Sequence, residues 1–220
     1  MFIIEKEPKS IAAESYRTLR TNIQYSSFDK QYKTIVVTSS EPGEGKSTIT
    51  GNLALSLAQG EKKVLIIDCD LRKPSIYKKF KISHVIGLSD VIIGKEDLHT
   101  AVNKYNKNLS ILASGKIPPN PSEMLSSKAM TTLLERLEEI YDYIILDAPP
   151  VQAVTDAQIL SAKADGTILV IKAGETKKDS IHNTIGLLRK VKANIIGTIL
   201  NAVDNSKNKY YYYYGEDKQS

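Results

Sequence analysis

The ten residues Ser39-Ser40-Glu41-Pro42-Gly43-Glu44-Gly45-Lys46-Ser47-Thr48 stand between two runs of opposite character. Before them lies a β-branched run at 34–38 (TIVVT); after them an apolar helical stretch passes through Leu53, Leu57 and Ala58 and ends at Gly60. A strand that turns through closely spaced glycines into a helix admits few folds. Such a loop leaves backbone N–H groups free at the positive end of a helix dipole, and the glycines let the backbone approach an anion closely. That is the chemistry of a nucleotide phosphate site. Gly43, Glu44, Gly45, Lys46, Ser47 and Thr48 are therefore candidate nucleotide-binding residues, with Lys46 reaching the β- and γ-phosphates and the Ser47 hydroxyl ligating Mg²⁺. The spacing departs from GxxxxGK[ST] at one place, where Ser40 occupies the first glycine position. The plainer alternative is a strand–helix turn carrying a solvated lysine.

The rest of the chain repeats the alternation. Runs at 64–67 (VLII), 109–112, 143–146, 167–171 and 195–200 read as strands. Between them lie helical patterns: one with Met130, Leu133, Leu134 and Leu137 on a single stripe, another near 180–190. Ser10 is placed to cap a helix over about 10–25, with Ala12, Tyr16, Leu19 and Ile23 on one face. Residues 1–9 carry no pattern and read as an extended or mobile lead. The segment 117–121 (IPPNP) reads as irregular, because its three prolines remove backbone donors. Strands without polar alternation are buried on both faces and run parallel. The expectation is a doubly wound α/β fold: a mostly parallel sheet, helices on both faces, spanning 1–203 as one domain, with 204–220 as a tail.

Two strand ends carry acids to the edge of the sheet where such a phosphate loop lies. Asp68 and Asp70 follow 64–67, and Asp147 follows 143–146. Ligands of open parallel sheets bind beyond the carboxyl ends of the strands. Three acids there repel one another unless a cation intervenes, as Mg²⁺ does when it bridges phosphate oxygens. Taken singly, each aspartate reads equally as a turn or cap residue. Asn201, just after the last strand, offers a donor and an acceptor that match a purine edge, or serves merely as a turn.

Composition excludes other classes. A single cysteine, Cys69, rules out an intrachain disulfide framework or an all-cysteine metal site. A net charge of +5 is modest for a dedicated nucleic-acid binder, so no nucleic-acid partner is expected. No stretch has the length of a membrane span, and the start is too charged for a signal peptide, so the expectation is a cytoplasmic protein.

The loop EPGEGKST with the blocks VLIIDCDLRKP and IILDAPP resembles the Walker A, A′ and B motifs of bacterial tyrosine kinases acting in capsule and exopolysaccharide synthesis. The wider group is the deviant-Walker P-loop ATPases, which includes MinD- and ParA-like proteins. The similarity runs from about Ser10 to the end. It implies a P-loop NTPase fold and an ATP- and Mg²⁺-dependent protein-tyrosine autokinase. Lys46 would bind phosphates, Ser47, Asp68 and Asp147 would hold the metal, and Arg72 would complete the phosphate environment. Asp70 or Asp68 would take the tyrosine proton. Glu41 stands where the partition ATPases carry a second signature lysine, which argues against that alternative.

Two accessory features match the kinases. Glu14, Arg17 and Arg20 fit an ExxRxxR helix implicated in subunit contacts, although such spacing is also that of a solvated face. Tyr210, Tyr211, Tyr212, Tyr213 and Tyr214, five of the chain's 12 tyrosines, resemble the autophosphorylated cluster. The plainer reading of that run is a sticky tail. At about 3.3 Å per residue, Ala202 to Tyr212 could extend roughly 30 Å, enough to reach an adjacent subunit. The resemblance further implies a ring-like homo-oligomer, a separate transmembrane activator holding the kinase at the inner face of the membrane, tyrosine-bearing protein substrates and an opposing tyrosine phosphatase.

Overall fold

The computed structural model describes residues 2–26 and 32–203. The tail 204–220, including the five-tyrosine run, lies outside the described residues.

Seven strands are present: β1 (Thr34–Ser39), β2 (Val64–Asp68), β3 (Val102–Lys104), β4 (Leu109–Leu112), β5 (Tyr143–Asp147), β6 (Gly166–Lys172) and β7 (Ile195–Asn201). They form one sheet in the order β3-β4-β2-β5-β1-β6-β7. Every pairing is parallel except β3 with β4. The helices are α1 (Ile3–Lys6), α2 (Ile11–Tyr25), α3 (Lys46–Gln59), α4 (Ile76–Phe80), α5 (Leu88–Ile92), α6 (Leu98–Ala101), α7 (Pro121–Ser126), α8 (Lys128–Glu138), α9 (Asp156–Lys163) and α10 (Lys178–Lys190).

Strand alternation sorts the apolar side chains into two cores. Ile35, Val37, Ile66 and Ile145 pack with α2, α3 and α4 on one face. Val36, Leu65, Ile67, Ile144 and Leu146 pack with α8, α9 and α10 on the other. The inner strands β1, β2 and β5 are buried throughout, which is why they read as continuous apolar runs. The doubly wound, mostly parallel sheet matches the expectation, and the predicted strands agree with β1, β2, β4, β5, β6 and β7 to within a residue at each end.

Three local expectations are corrected, and one strand is added. The lead is not extended: α1 folds back, Phe2 and Ile4 are buried, and Ile4 N–H donates to Asn52 Oδ1 at 3.2 Å. Phe2 stacks near Phe80 (4.5 Å between centroids) and closes over Gly51, where a Cβ would fall 2.1 Å from its ring. Ser10 caps α2 as predicted, accepting from Ala13 N–H at 3.2 Å, but Ala13 rather than Ala12 is buried. Pro121 does not interrupt regular structure; it opens α7 at the first turn, where a missing N–H costs nothing. The three-residue β3 was not anticipated: it is half-exposed and too short to show a period.

Candidate active site

The β1–α3 loop wraps the N-terminus of α3 through two left-handed glycines, Gly43 (φ 86°) and Gly45 (φ 95°). Ser40 has no positive φ, so the first motif position tolerates serine here. Gly45 has a second constraint: a Cβ on it would lie 2.1 Å from Asn201 Nδ2. Asn201 Nδ2 donates to Glu44 O at 2.9 Å, so this side chain braces the loop from the end of β7. The Glu44 carboxylate accepts from Glu41 N–H at 3.0 Å and from the Thr176 hydroxyl, and Glu41 Oε1 accepts from Ser180 Oγ at 2.7 Å. Glu41 thus ties the loop to α10.

A cleft of about 590 Å³ opens over this loop, lined among others by Gly43, Gly45, Ser47, Thr48, Asp70 and Arg72. Lys46 Nζ lies 3.2 Å from Asp70 Oδ2 and 3.6 Å from Asp147 Oδ2. Asp147 is wholly buried; its Oδ2 accepts from Ser47 Oγ at 2.6 Å and its Oδ1 from Thr50 Oγ1 at 2.9 Å. Ser75 Oγ donates to Ser47 Oγ at 2.8 Å, and Lys79 Nζ to Thr48 Oγ1 at 3.0 Å. Predicted loop, lysine and acids therefore meet at the carboxyl ends of β1, β2 and β5.

Asp68 and Asp147 are register partners on adjacent strands. Burial, then the charge of Asp147, pushes the Asp68 carboxyl up to about 7. Burial also raises Asp147, against the opposing pull of Lys46, Ser47 and Thr50. For Lys46 burial disfavours the charge, but Asp147 and Asp70 outweigh it and hold the ammonium above its usual range.

The two A′ aspartates differ in what their oxygens face. Asp68 Oδ2 accepts from the N–H groups of Ser75 and Ile76, both at 3.0 Å, and Oδ1 from Asp70 N–H at 3.3 Å. Asp70 lines the cleft, with Oδ2 toward Lys46 and Oδ1 accepting from Lys73 N–H at 3.0 Å. Arg72 also lines the cleft, but its guanidinium grips Asp156 in a fork, at 3.0 and 3.2 Å, and reaches Ser122 Oγ at 3.0 Å. Thr50, Ser75, Lys79 and Asp156 carried no sequence signal of this role; Thr50 alone, three residues after Ser47 on a helix, was within reach of spacing arguments.

On α2, Arg17 donates to Glu14 Oε2 at 2.8 Å and to Pro8 O at 2.6 Å. Arg20 Nη1 instead donates to Ser56 O at 2.7 Å, joining α2 to the end of α3. Among the described residues no helix is long and apolar enough to cross a membrane.

A family model described as an AAA domain matches residues 32–201. Tyrosine-protein kinase YwqD of Bacillus subtilis (strain 168) is 47% identical over 210 residues, 95% of this chain and 89% of that protein. The putative tyrosine-protein kinase CapB of Staphylococcus aureus is 38% identical over 216 residues, 97% and 95% of the two chains. The solved kinase domain of Escherichia coli tyrosine kinase ETK superposes with a TM-score of 0.90 at 32% identity, over 97% of this chain and 84% of that one. With its phosphate loop, A′ acids and buried Asp147 in place, the chain belongs to the bacterial tyrosine-protein kinases and is a protein-tyrosine kinase.

Proposed function

We propose that the chain transfers the γ-phosphoryl group of ATP to its own five-tyrosine run, in trans between neighbouring copies, and so regulates capsule or exopolysaccharide synthesis. The observation that carries this reading is Lys46, held between Asp70 and Asp147 beneath the glycine loop. The residues fit a nucleotide with Mg²⁺: Gly43 and Gly45 turn the loop through left-handed backbone at the N-terminus of α3, and Ser47 with Asp147 makes a buried pair of oxygen ligands. Bound there, the metal would neutralise charge on the phosphates; Ser47 and Asp147 would hold it, directly or through water. Asp68, its oxygens engaged by backbone N–H groups, would act from behind this pair.

In the transfer, the phenol oxygen forms a bond to the γ-phosphorus while the bond from that phosphorus to the β–γ bridging oxygen breaks, releasing ADP. We assign the phenol proton to Asp70, the A′ acid that lines the cleft. Lys46 would exchange Asp70 for the β- and γ-phosphates when ATP enters, which frees Asp70 Oδ2 to accept that proton. Asn201 is proposed to hold the loop and the base side of the site, and Arg72 to frame the phosphates through its fork to Asp156. The α2 face of Glu14, Arg17 and Arg20 is proposed as the contact of a ring-like oligomer. Membrane recruitment is proposed to come from a separate transmembrane activator, and reversal from a tyrosine phosphatase.

The test is incubation of the purified full chain with γ-labelled ATP and Mg²⁺. Label is expected on tyrosine and to fall about 10²-fold or more in Lys46→Met, which keeps its circular dichroism spectrum. Label appearing only as inorganic phosphate would overturn the reading in favour of an ATPase switch.

A further inference from the structure

Beside the nucleotide cleft lies a second groove, of about 700 Å³, which shares Lys73 and Ser75 with it. One wall is α4 and the turn after it. There Tyr77 stacks on His84 (3.8 Å between centroids, 23° between planes), and Lys78 Nζ lies 5.5 Å from the Tyr77 ring. The other wall is the turn after β4, where Gly115 (φ 75°) delivers Lys116 and Ile117 to the rim. No side chain but glycine fits that turn, because a Cβ would fall 2.5 Å from Asp90 Oδ2.

The chemistry of the lining is one-sided. It includes Lys73, Lys78 and Lys116 and no carboxylate. None of the three ammonium groups pairs with an acid among the described residues. Beside them stand the stacked rings and two exposed aliphatic residues, Val85 (64%) and Ile117 (65%). Uncompensated cations beside stacked rings and exposed aliphatic groups suit an anion carried on an aryl ring. A bare phosphate would leave the apolar groups uncovered, and an unmodified tyrosine would leave the lysines unpaired. The chain itself supplies a ligand of that class at high local density, once its tyrosine run carries phosphates of about −1.5 to −2 charge each.

We propose that this groove is a phosphotyrosine subsite, which receives an already modified residue of the run 210–214 while the adjoining cleft acts on another. The proposal rests on the run being the kinase's substrate. It gives the run's length a use. Each phosphate added raises repulsion against ATP and against the acids Asp68, Asp70 and Asp147; a cationic groove adjoining the cleft offsets that repulsion and retains the tail for the next transfer.

The experiment is a fluorescence anisotropy titration with a labelled peptide of residues 206–217, either unmodified or phosphorylated at the tyrosine of position 212. The receiving protein is the full chain with Lys46→Met and all five tail tyrosines changed to Phe, so that its own tail cannot compete. The phosphopeptide is expected to bind about tenfold or more tightly than the unmodified peptide, and Lys78→Glu with Lys116→Glu is expected to abolish the difference. Binding of a fluorescent ADP to that variant should be unchanged. Equal affinity for the two peptides, an unaltered difference in the variant, or displacement of the phosphopeptide by ADP would each overturn the proposal. A second readout separates this from the kinase reading: by mass spectrometry the otherwise active Lys78→Glu/Lys116→Glu chain should accumulate singly phosphorylated tails where the parent accumulates multiply phosphorylated ones. Absence of phosphotyrosine in the parent would count against the kinase reading alone, and an unchanged distribution against the subsite.

Discussion

Lys46 bridges Asp70 and Asp147, and the proposed exchange of Asp70 for phosphates would couple nucleotide binding to the state of Asp70. Without phosphates its ammonium bridges Asp70 and Asp147, where burial penalises the charges of Lys46 and Asp147. This gives the two aspartates separable signatures. Asp70→Asn should lower the single-turnover rate of tyrosine phosphorylation by about 10²-fold or more and keep nucleotide affinity within a few-fold. Asp147→Asn should instead weaken nucleotide binding only when Mg²⁺ is present, since it disturbs the acceptor of both Ser47 and Thr50. Titrations with and without Mg²⁺, paired with single-turnover assays, check both. At this scale the sequence displayed the charged actors and hid their supports. Asp68 and Asp70 are indistinguishable in DCD; only the turn back to Ser75 and Ile76 engages one and leaves the other on the cleft. Asp156 lies 84 residues from Arg72, so nothing local announces that fork.

At the scale of elements, α2 carries contacts of two kinds. Arg17 and Glu14 form an exposed pair, worth about 0–1 kcal/mol, whereas Arg20 spans to the backbone of α3, a bond of about 1 kcal/mol. Glu14→Ala with Arg17→Ala should therefore lower the mass seen by light scattering with little change in Tm, if this face joins copies. Arg20→Ala should also lower Tm, by about 2–4 °C. An unchanged mass in the double variant at equal concentration would contradict the interface. Strands were legible because β1, β2 and β5 are buried on both faces and leave a run of apolar letters. What was not legible depends on distant partners. The Ile3–Lys6 turn is held by Asn52, and Phe2 before it by Phe80, neither nearby in sequence, and β3 exists only because β4 offers it an antiparallel edge. Pro121 was misread because a helix start and a loop tolerate the same residue.

For the whole molecule, sheet order concentrates function at one end. The central strands β2, β5 and β1 carry the A′ acids, Asp147 and the phosphate loop to the same edge, while Asn201 at the end of the outer strand β7 leans back onto that loop. In the proposed transfer the run 210–214 would supply the acceptor tyrosines, and five phosphates would add roughly −7.5 to −10 to a chain whose net charge is +5. A reversal of that size would give the proposed oligomer a reason to loosen as the tail fills. The most direct measurement mixes two purified full-length chains with ATP and Mg²⁺: one inactive, Lys46→Met with its tail intact; the other active, with all five tail tyrosines changed to Phe. The account predicts phosphotyrosine in the run 210–214 of the inactive chain, resolved by mass spectrometry. ATP consumed with no phosphotyrosine on that chain, under conditions where the parent labels itself, would contradict it.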